Sequence, residues 1–192
     1  MIRLALVGEI GSGKSYVAKQ FRYPVFNADI EVAKLYKKNR KCFNKLKRAL
    51  PRHITKFPLK KNELLKAIKS NKNNLKKIIK IVHPEIRKKL TSFCKKNKNK
   101  KIIVLDIPLL IENKIYRNNF VLVFVDAKQK EIRKRLKKRS NFNIKIFKKL
   151  KKLQLPVEKK RKKSDFIIKN NFKHDSTKKN VKNVLRKILL NA

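Results

Sequence analysis

The sequence predicts an α/β fold in which a parallel sheet of five strands is flanked by helices. Short apolar runs of strand length recur along the chain, and segments with apolar residues at helical spacing lie between them. The first run leads directly into a glycine-rich turn and then into a helical pattern. Strands that alternate with helices favour parallel pairing with right-handed crossovers, and ligands of such sheets bind at the carboxyl ends of the strands.

The first apolar run, Leu4–Val7, leads into the sequence GEIGSGKS at residues 8–15, which has the spacing of a Walker A phosphate-binding loop. All three glycines of the chain lie in this loop, where glycine lets backbone N–H groups approach phosphate oxygens closely. Lys14 can reach the β- and γ-phosphates, and the hydroxyl of Ser15 is placed to bind Mg²⁺. The sequence therefore predicts a nucleoside triphosphate site formed by Gly8, Glu9, Ile10, Gly11, Ser12, Gly13, Lys14, Ser15 and Tyr16.

A second strand is predicted at Pro24–Asp29, where the apolar run ends on a carboxylate, and a helix follows from about Ile30. The pattern then changes, because apolar residues recur at helical spacing as far as Cys94 without a strand signal. Prolines at positions 51, 58 and 84 are expected to separate these helices. We interpret the segment as a helical insertion that holds the second substrate.

Three further strands are predicted from apolar runs at Lys101–Asp106, Phe120–Asp126 and Phe166–Ile168. The segment before the last of them is strongly basic with a narrow apolar stripe, which indicates a partly exposed helix. A closing helix is expected to be capped by one of residues 175–177, an Asp, a Ser and a Thr. The predicted organisation is a nucleotide-binding core of residues 1–34, 99–130 and 156–192, a helical acceptor-binding region of residues 35–98 and a lid of residues 131–155.

The net charge of the chain is extreme, since 57 lysines and arginines against 12 acidic residues give +45 at pH 7. Such a charge is typical of proteins that bind nucleic acid or substrates with many phosphates. The lysines are spread along the chain after the first thirty residues and accompany many asparagines and isoleucines, a pattern that an AT-rich coding sequence would also produce. Two interpretations stay open: a solvated surface shaped by composition, or a field that steers ATP and the second substrate towards the site.

The cysteines and the apolar segments bear on where the protein acts. Cys42 and Cys94 are far apart and lack C-x-x-C spacing, so we expect free thiols in a reducing cytoplasm rather than a disulfide or a zinc site. The chain enters a strand at once, without a signal-peptide pattern, and no apolar run approaches 18 residues. We expect a cytoplasmic monomer without a membrane partner.

A Walker A loop alone does not separate the kinases, GTPases and ATPases that share it. The sequence lacks the N-K-x-D signature for guanine, and its size and late basic segment favour a small-molecule kinase with a mobile lid. One alternative is a small kinase that phosphorylates a nucleoside or a similar alcohol. Another is a nucleic-acid-binding ATPase, which the charge suggests but the dispersed lysines and the absence of tryptophan disfavour.

Several blocks beyond the phosphate loop resemble the dephospho-CoA kinase family. They are NAD at 27–29, HPEIR at 83–87, DIPLLIE at 106–112 and QLPVEKKRKKSDFIIKN at 154–170, in the family's order and spacing over nearly the whole chain. The resemblance implies a P-loop kinase fold and transfer of the γ-phosphoryl group of ATP, with Mg²⁺, to the 3′-hydroxyl of the ribose of dephospho-CoA. This is the last step of coenzyme A synthesis, and it implies no specific nucleic-acid partner.

The resemblance also implies catalytic residues. Asp29 matches the general base that accepts the proton of the attacking hydroxyl, although a carboxylate there can also cap a helix. Lys14 would hold the transferring phosphoryl group together with the phosphate loop. Arg139 matches the lid arginine that contacts phosphate, with Arg135 one turn before it on the same helix face, and a solvated face is the alternative for both.

Further matches concern substrate binding. Asp106 would hold Mg²⁺ through water or else hold Ser15 in place. His83 would lie near the acceptor, or pack within its helix instead. Asn170 would contact adenine, or favour a turn. The acceptor pocket would be shaped by Pro108, Leu109 and Leu110.

Three departures from the family pattern stand out. Glu9 replaces a glycine that the family usually has, so a carboxylate lies beside the triphosphate and weakens ATP binding unless its side chain points outward. Ile132 stands where the lid usually has a glutamine, with Gln129 nearby. The link from Phe21 to Asp29 is shorter than usual and lacks its glycine. None of the three removes a catalytic group.

Overall fold

The computed structural model describes residues 1–113, 120–138 and 142–191. Within those residues no helix has the length and the apolar character that crossing a bilayer requires. The contacts divide the chain into two compact units, one of residues 1–27 with the described residues from 97 onward, the other of residues 28–96. Each unit has a hydrophobic core of its own.

The first unit is built on a parallel sheet of five strands, which confirms the predicted fold class. The strands are β1 (Ile2–Val7), β2 (Val25–Asn27), β3 (Ile102–Asp106), β4 (Phe120–Asp126) and β5 (Phe166–Lys169). Their spatial order is β2-β3-β1-β4-β5, and every neighbouring pair is parallel. The central strands are apolar runs in the sequence because helices cover both faces of such a sheet, and β3 is buried over its whole length.

The helices, in chain order, are α1 (Lys14–Gln20), α2 (Ala28–Lys38), α3 (Arg40–Ala49), α4 (Lys61–Ser70), α5 (Lys72–Lys96), α6 (Gln129–Lys137), α7 (Ile144–Lys152), α8 (Val157–Lys162) and α9 (His174–Leu190). Helices α1 and α9 pack on each other, and their apolar residues join the core of the sheet. Because the strands are parallel, the loop after β1, Asn27 at the end of β2 and Asp106 at the end of β3 come to one edge of the sheet.

The second unit is helical, as the spacing of its apolar residues predicted. Helices α2, α3 and α4 each pack against the long helix α5. Asn39 is the N-cap of helix α3, and its side-chain oxygen accepts a hydrogen bond from the backbone N–H of Cys42 at 2.8 Å. Burial, followed by the nearby Glu85, raises the pKa of the Cys42 thiol to about 11, so this thiol stays protonated at neutral pH. Neither Cys42 nor Cys94 forms a disulfide.

Two predicted boundaries are wrong. The second strand ends at Asn27, opposite the last residue of β3. Asp29 lies instead in the first turn of α2, where the positive end of the helix dipole stabilises its carboxylate. Pro84 does not separate two helices, because α5 runs through it. A proline inside a helix removes one backbone hydrogen bond. Here Val82 and Ile86, two residues before and after the proline, pack into the same core, and this tertiary packing outweighs that loss.

The predicted cap of the closing helix is also wrong. Helix α9 begins at His174 with Lys173 at its N-cap, and no side chain provides a capping hydrogen bond. The hydroxyl of Thr177 instead donates to the side-chain oxygen of Asn170 at 3.0 Å. The residue that resembled a cap therefore connects α9 to the turn after β5.

Candidate active site

The phosphate loop connects β1 to α1 through backbone conformations that require glycine. Gly13, the N-cap of α1, has φ of 89°, and a Cβ added there would stand 2.4 Å from the side-chain nitrogen of Asn170. A Cβ at Gly8, where φ is 148°, would stand 2.8 Å from the backbone oxygen of Val125. Both the left-handed conformation and the close neighbours exclude a side chain at these two positions. Tyr16 completes the first turn of α1, its backbone N–H donating to the Gly13 oxygen at 3.0 Å.

Lys14 folds back over the loop that precedes it. Its Nζ donates to the backbone oxygen of Glu9 at 2.7 Å and to that of Gly8 at 3.2 Å. The ammonium group thus lies against the glycine-rich turn, beside the backbone that the Walker A spacing assigns to the phosphates. Ser12, in the same loop, is buried with 1% of its surface exposed. The loop is therefore a compact structure with its positive charge held within it.

Asn27 joins two of the predicted site residues. Its side-chain nitrogen donates to Oδ2 of Asp106 at 2.6 Å and lies 3.5 Å from Oγ of Ser15. Asp106 is 3% exposed, so this amide provides a hydrogen bond that a buried carboxylate requires. The three side chains bring a hydroxyl, an amide and a carboxylate from α1, β2 and β3 to one place. Sequence reasoning noted Asn27 only as part of the NAD block and gave it no role.

The donor set around Ser15 and Asp106 fits Mg²⁺. Both groups offer hard oxygen ligands, and Mg²⁺ is usually bound by one or two protein oxygens while water and phosphate supply the rest. In the described parts of the chain no group of three or more His, Cys, Asp or Glu residues is arranged to hold a metal ion. A site that depends on few protein ligands is consistent with an ion that arrives with a nucleotide.

Asn170 fastens the end of β5 to the phosphate loop. Its side-chain nitrogen donates to the backbone oxygen of Ser12 at 2.8 Å. Its side-chain oxygen accepts from the Phe172 backbone N–H and from the Thr177 hydroxyl, each at 3.0 Å. With 3% of its surface exposed, Asn170 supports the loop from behind, so its side-chain groups are already engaged within the protein. The sequence-based alternatives for this residue, a turn or an adenine contact, did not include that support.

Arg135 lies over an aromatic ring near the same turn. Its guanidinium carbon is 4.4 Å from the centre of the Phe172 ring, a cation–π contact. Phe172 has φ of 63°. One of its ring carbons would lie 3.2 Å from a Cβ placed on Gly13. A cavity of about 710 Å³ opens between the turn after β4 and the turn after β5, with Asn170 in its wall. The rest of its lining includes Asp126, Ala127, Lys128, Glu131, Lys169 and Asn171.

The turn after β3 contains three further predicted residues. Leu110 is 1% exposed, Leu109 has φ of 57°, and Pro108 is exposed. Leu110 therefore belongs to the core rather than to an open surface. Arg139, the lid arginine of the predicted site, lies outside the described residues, which resume at 142 in the segment that leads to α7.

Asp29 and His83 belong to the helical unit. Asp29 is the second residue of α2, which begins directly after β2, and His83 lies in the middle of α5. Burial lowers the pKa of His83 below its usual 6.5, and the positive charge of Arg87 one turn later lowers it further. His83 is therefore neutral at pH 7, and its ring can both donate and accept a hydrogen bond.

The lowered pKa of His83 predicts a pH-dependent stability. In the unfolded chain His83 binds a proton near pH 6.5, and in the folded chain it does so only at lower pH. Its contribution to the free energy of unfolding is therefore largest above pH 6.5 and falls as the pH drops below that value. Relative to H83Q, the native chain should lose stability between pH 7.5 and 5.5, by at most about 1.4 kcal/mol per pH unit. Urea unfolding at several pH values measures this difference. R87Q should make it smaller, and a difference that does not change with pH would contradict the argument.

Comparison with known proteins gives a consistent result. A family model described as dephospho-CoA kinase matches residues 2–176. A dephospho-CoA kinase of Wolbachia pipientis is 32% identical over 194 residues, which cover 98% of this chain and 99% of the relative. A crystal structure from Thermus thermophilus has a TM-score of 0.77 and 27% identity, and covers 99% of this chain and 97% of its own. A dephospho-CoA kinase structure from Campylobacter jejuni has a TM-score of 0.64 at 23% identity, with coverages of 97% and 96%.

Proposed function

The chain belongs to the dephospho-CoA kinase family, and from that membership we propose how its residues transfer the γ-phosphoryl group of ATP to the 3′-hydroxyl of dephospho-CoA. The observation that carries the proposal is the common edge at the ends of β1, β2 and β3. There the phosphate loop with Lys14 stands beside the hydrogen-bonded group of Ser15, Asn27 and Asp106. This arrangement supports binding of a nucleoside triphosphate with its metal ion.

The reaction we propose is a single displacement. The oxygen of the acceptor 3′-hydroxyl forms a bond to the γ-phosphorus as the bond from that phosphorus to the β,γ-bridging oxygen breaks. The hydroxyl proton passes to the carboxylate of Asp29, and ADP leaves with the bridging oxygen. A positioned base of this kind typically contributes 10²- to 10⁴-fold to the rate.

Positive groups would stabilise the charge that spreads over the transferring phosphoryl group. Lys14 is held against the loop carbonyls of Gly8 and Glu9, from which it needs only to turn towards a bound phosphate. Arg139 would act from the lid, as the family resemblance implies. Mg²⁺, held by Ser15 and by Asp106 directly or through water, would neutralise charge on the β- and γ-phosphates.

The remaining residues would bind the two substrates. Arg135 and Asn170 flank the turn after β5 where the adenine of ATP would lie, and the 710 Å³ cavity beside Asn170 offers room for it. His83, Asp106 and the turn of residues 108–110 would contact dephospho-CoA. We propose that the enzyme acts as a monomer in the cytoplasm, where free thiols such as Cys42 and Cys94 are usual.

The proposal is tested by measuring ADP release with Mg-ATP and dephospho-CoA, beside a control without acceptor and a second series with nucleosides. We expect turnover that depends on dephospho-CoA and yields coenzyme A as the phosphorylated product. Turnover with a nucleoside but not with dephospho-CoA would leave a small P-loop kinase and overturn the acceptor. Because the chain carries a charge of +45, nucleic acid should be removed first, and binding should be repeated at high salt to separate adsorption from specific binding.

A further inference from the structure

The phosphate loop contains a negative charge that its proposed ligand does not favour. Glu9 directly follows Gly8, and its backbone oxygen is one of the two that hold Lys14. A carboxylate free to turn towards a bound triphosphate would repel it, because both carry negative charge at short range. The direction of the Glu9 side chain therefore affects how well the loop binds ATP.

The Glu9 side chain is held by an amide from another element. Oε2 of Glu9 accepts a hydrogen bond from the side-chain nitrogen of Gln129, the first residue of α6. Helix α6 is itself fixed on the loop, because a Cβ at Gly11 would stand 3.0 Å from Ile132 and 3.1 Å from Leu136. Both of those side chains are buried. Gln129 thus donates from a helix whose position relative to the loop is set by packing.

The surroundings of Glu9 favour the same direction. Glu9 and Gln129 line a cavity of about 430 Å³ between the loop, α6 and α7. Apart from Glu9 and two glutamines, the residues that line it are apolar or basic, among them Ile132, Leu136, Phe142, Phe147, Arg133, Lys137, Lys148 and Lys151. A carboxylate on that side lies among positive groups, so the field of the cavity also favours Glu9 turned towards the helices.

A second glutamine binds the neighbouring residue of the loop in a different way. The backbone N–H of Ile10 donates to the side-chain oxygen of Gln154, in the segment after α7, at 3.3 Å. The hydrogen bond that joins Gln154 to the loop is therefore to main chain, whereas Gln129 bonds to the charged side chain of Glu9. This difference gives each glutamine a distinct response when Glu9 is removed.

We propose that Gln129 is a positioning residue that keeps the Glu9 carboxylate turned away from the bound nucleotide. The inference rests on the proposed function, since it assumes that ATP binds at this loop. Without the Gln129 amide, the Glu9 carboxylate samples directions nearer the phosphates. It then weakens the binding of ATP by the same amount in the ground state and in the transition state. A loss of that kind raises KM for ATP and leaves kcat nearly unchanged.

The test compares Q129A, E9G and the double variant E9G/Q129A. For Q129A we expect KM for ATP to rise roughly 3- to 10-fold. This is the effect expected from losing one partly exposed hydrogen bond to a charged group. In the E9G background the same Gln129 substitution should have no effect, because no carboxylate is left to hold. The rise in KM should also become smaller as salt is increased, since screening weakens the repulsion.

Q154A is the matched control, because it removes a second glutamine side chain that binds the loop. Its effect on KM should be the same with and without Glu9, as expected for a contact to main chain. A KM for Q129A within twofold of the native value would overturn the proposal. So would a rise in KM that persists in E9G/Q129A, because it would show that Gln129 merely holds the helix. Thermal unfolding of all variants checks that they are folded.

The dissociation constant of Mg-ATP without acceptor, measured by calorimetry, separates this proposal from the proposed function. If the native chain binds Mg-ATP but does not phosphorylate dephospho-CoA, the acceptor assignment fails. The dissociation constants of the native chain, Q129A, E9G and E9G/Q129A then decide the role of Gln129. If the native chain does not bind Mg-ATP, both the proposed function and this inference are overturned.

Discussion

Replacing Asp29 by asparagine is expected to lower acceptor-dependent turnover by about 10²- to 10⁴-fold, the range that a general base contributes. Asparagine keeps the shape and the hydrogen-bonding reach of the side chain but cannot take up the proton of the attacking hydroxyl. Asp29 lies in the first turn of α2, directly after the strand that ends at Asn27. Initial rates of ADP release at saturating Mg-ATP and dephospho-CoA measure the effect.

Glu31 provides the matched control for this substitution. It is the other acidic residue in the first turn of α2, and it forms an ion pair with Lys34 at 2.7 Å. E31Q makes the same chemical change two residues away, and a partly exposed pair of this kind contributes little to stability, so we expect turnover within a few-fold of the native value. The dissociation constant of Mg-ATP should be nearly unchanged in D29N. Equal turnover for D29N and E31Q would contradict the role of Asp29 as the base.

The sheet was predictable because each of its strands consists mainly of apolar residues. The predicted run Phe120–Asp126 coincides with β4, and the run Lys101–Asp106 differs from β3 by one residue. The error at Pro24–Asp29 has a physical cause. Strand β2 pairs with β3 as far as Asp106, the last residue of β3. The pattern of residues 24–29 alone does not show where that neighbouring strand ends.

The candidate site was predictable only in part. The spacing of the glycine-rich loop identifies Lys14 and Ser15, because it reflects a local backbone path. Gln129 and Gln154 act on the loop from 120 and 144 residues away, respectively. Single polar side chains such as these leave no period in a sequence. Two signals were available: Glu9, since a charge in a phosphate loop requires a partner, and Gln129, which lies near the position where the family's lid usually has a glutamine.

A buried ion pair between the turn after β3 and helix α8 provides the largest expected effect on stability. Nζ of Lys160 lies 2.9 Å from Oε1 of Glu112, and their side chains are 3% and 11% exposed. The same carboxylate oxygen accepts the backbone N–H of Leu155 at 3.0 Å. The pair thus joins the turn after β3, which carries Pro108 to Leu110, to α8 and to the segment that carries Gln154.

K160M is expected to lower the free energy of unfolding by about 3 kcal/mol, because it leaves the Glu112 carboxylate buried with its main positive partner removed. Methionine has a similar length and removes only the charge and the hydrogen-bond donors. K159M is the control, since the neighbouring lysine on α8 is exposed and its substitution should change stability by less than about 0.5 kcal/mol. Urea denaturation monitored by circular dichroism measures both variants.

The double variant E112L/K160M tests whether the loss comes from the unpaired charge. Replacing both members of a buried pair by apolar residues is often close to neutral, so the double variant should be more stable than K160M. If E112L/K160M instead shows the sum of the two single losses, packing of the lysine chain and not its charge stabilises this region. If K160M is as stable as K159M, the argument is contradicted. The ion pair would then contribute nothing to the free energy of unfolding, because water would hydrate the Glu112 carboxylate equally well.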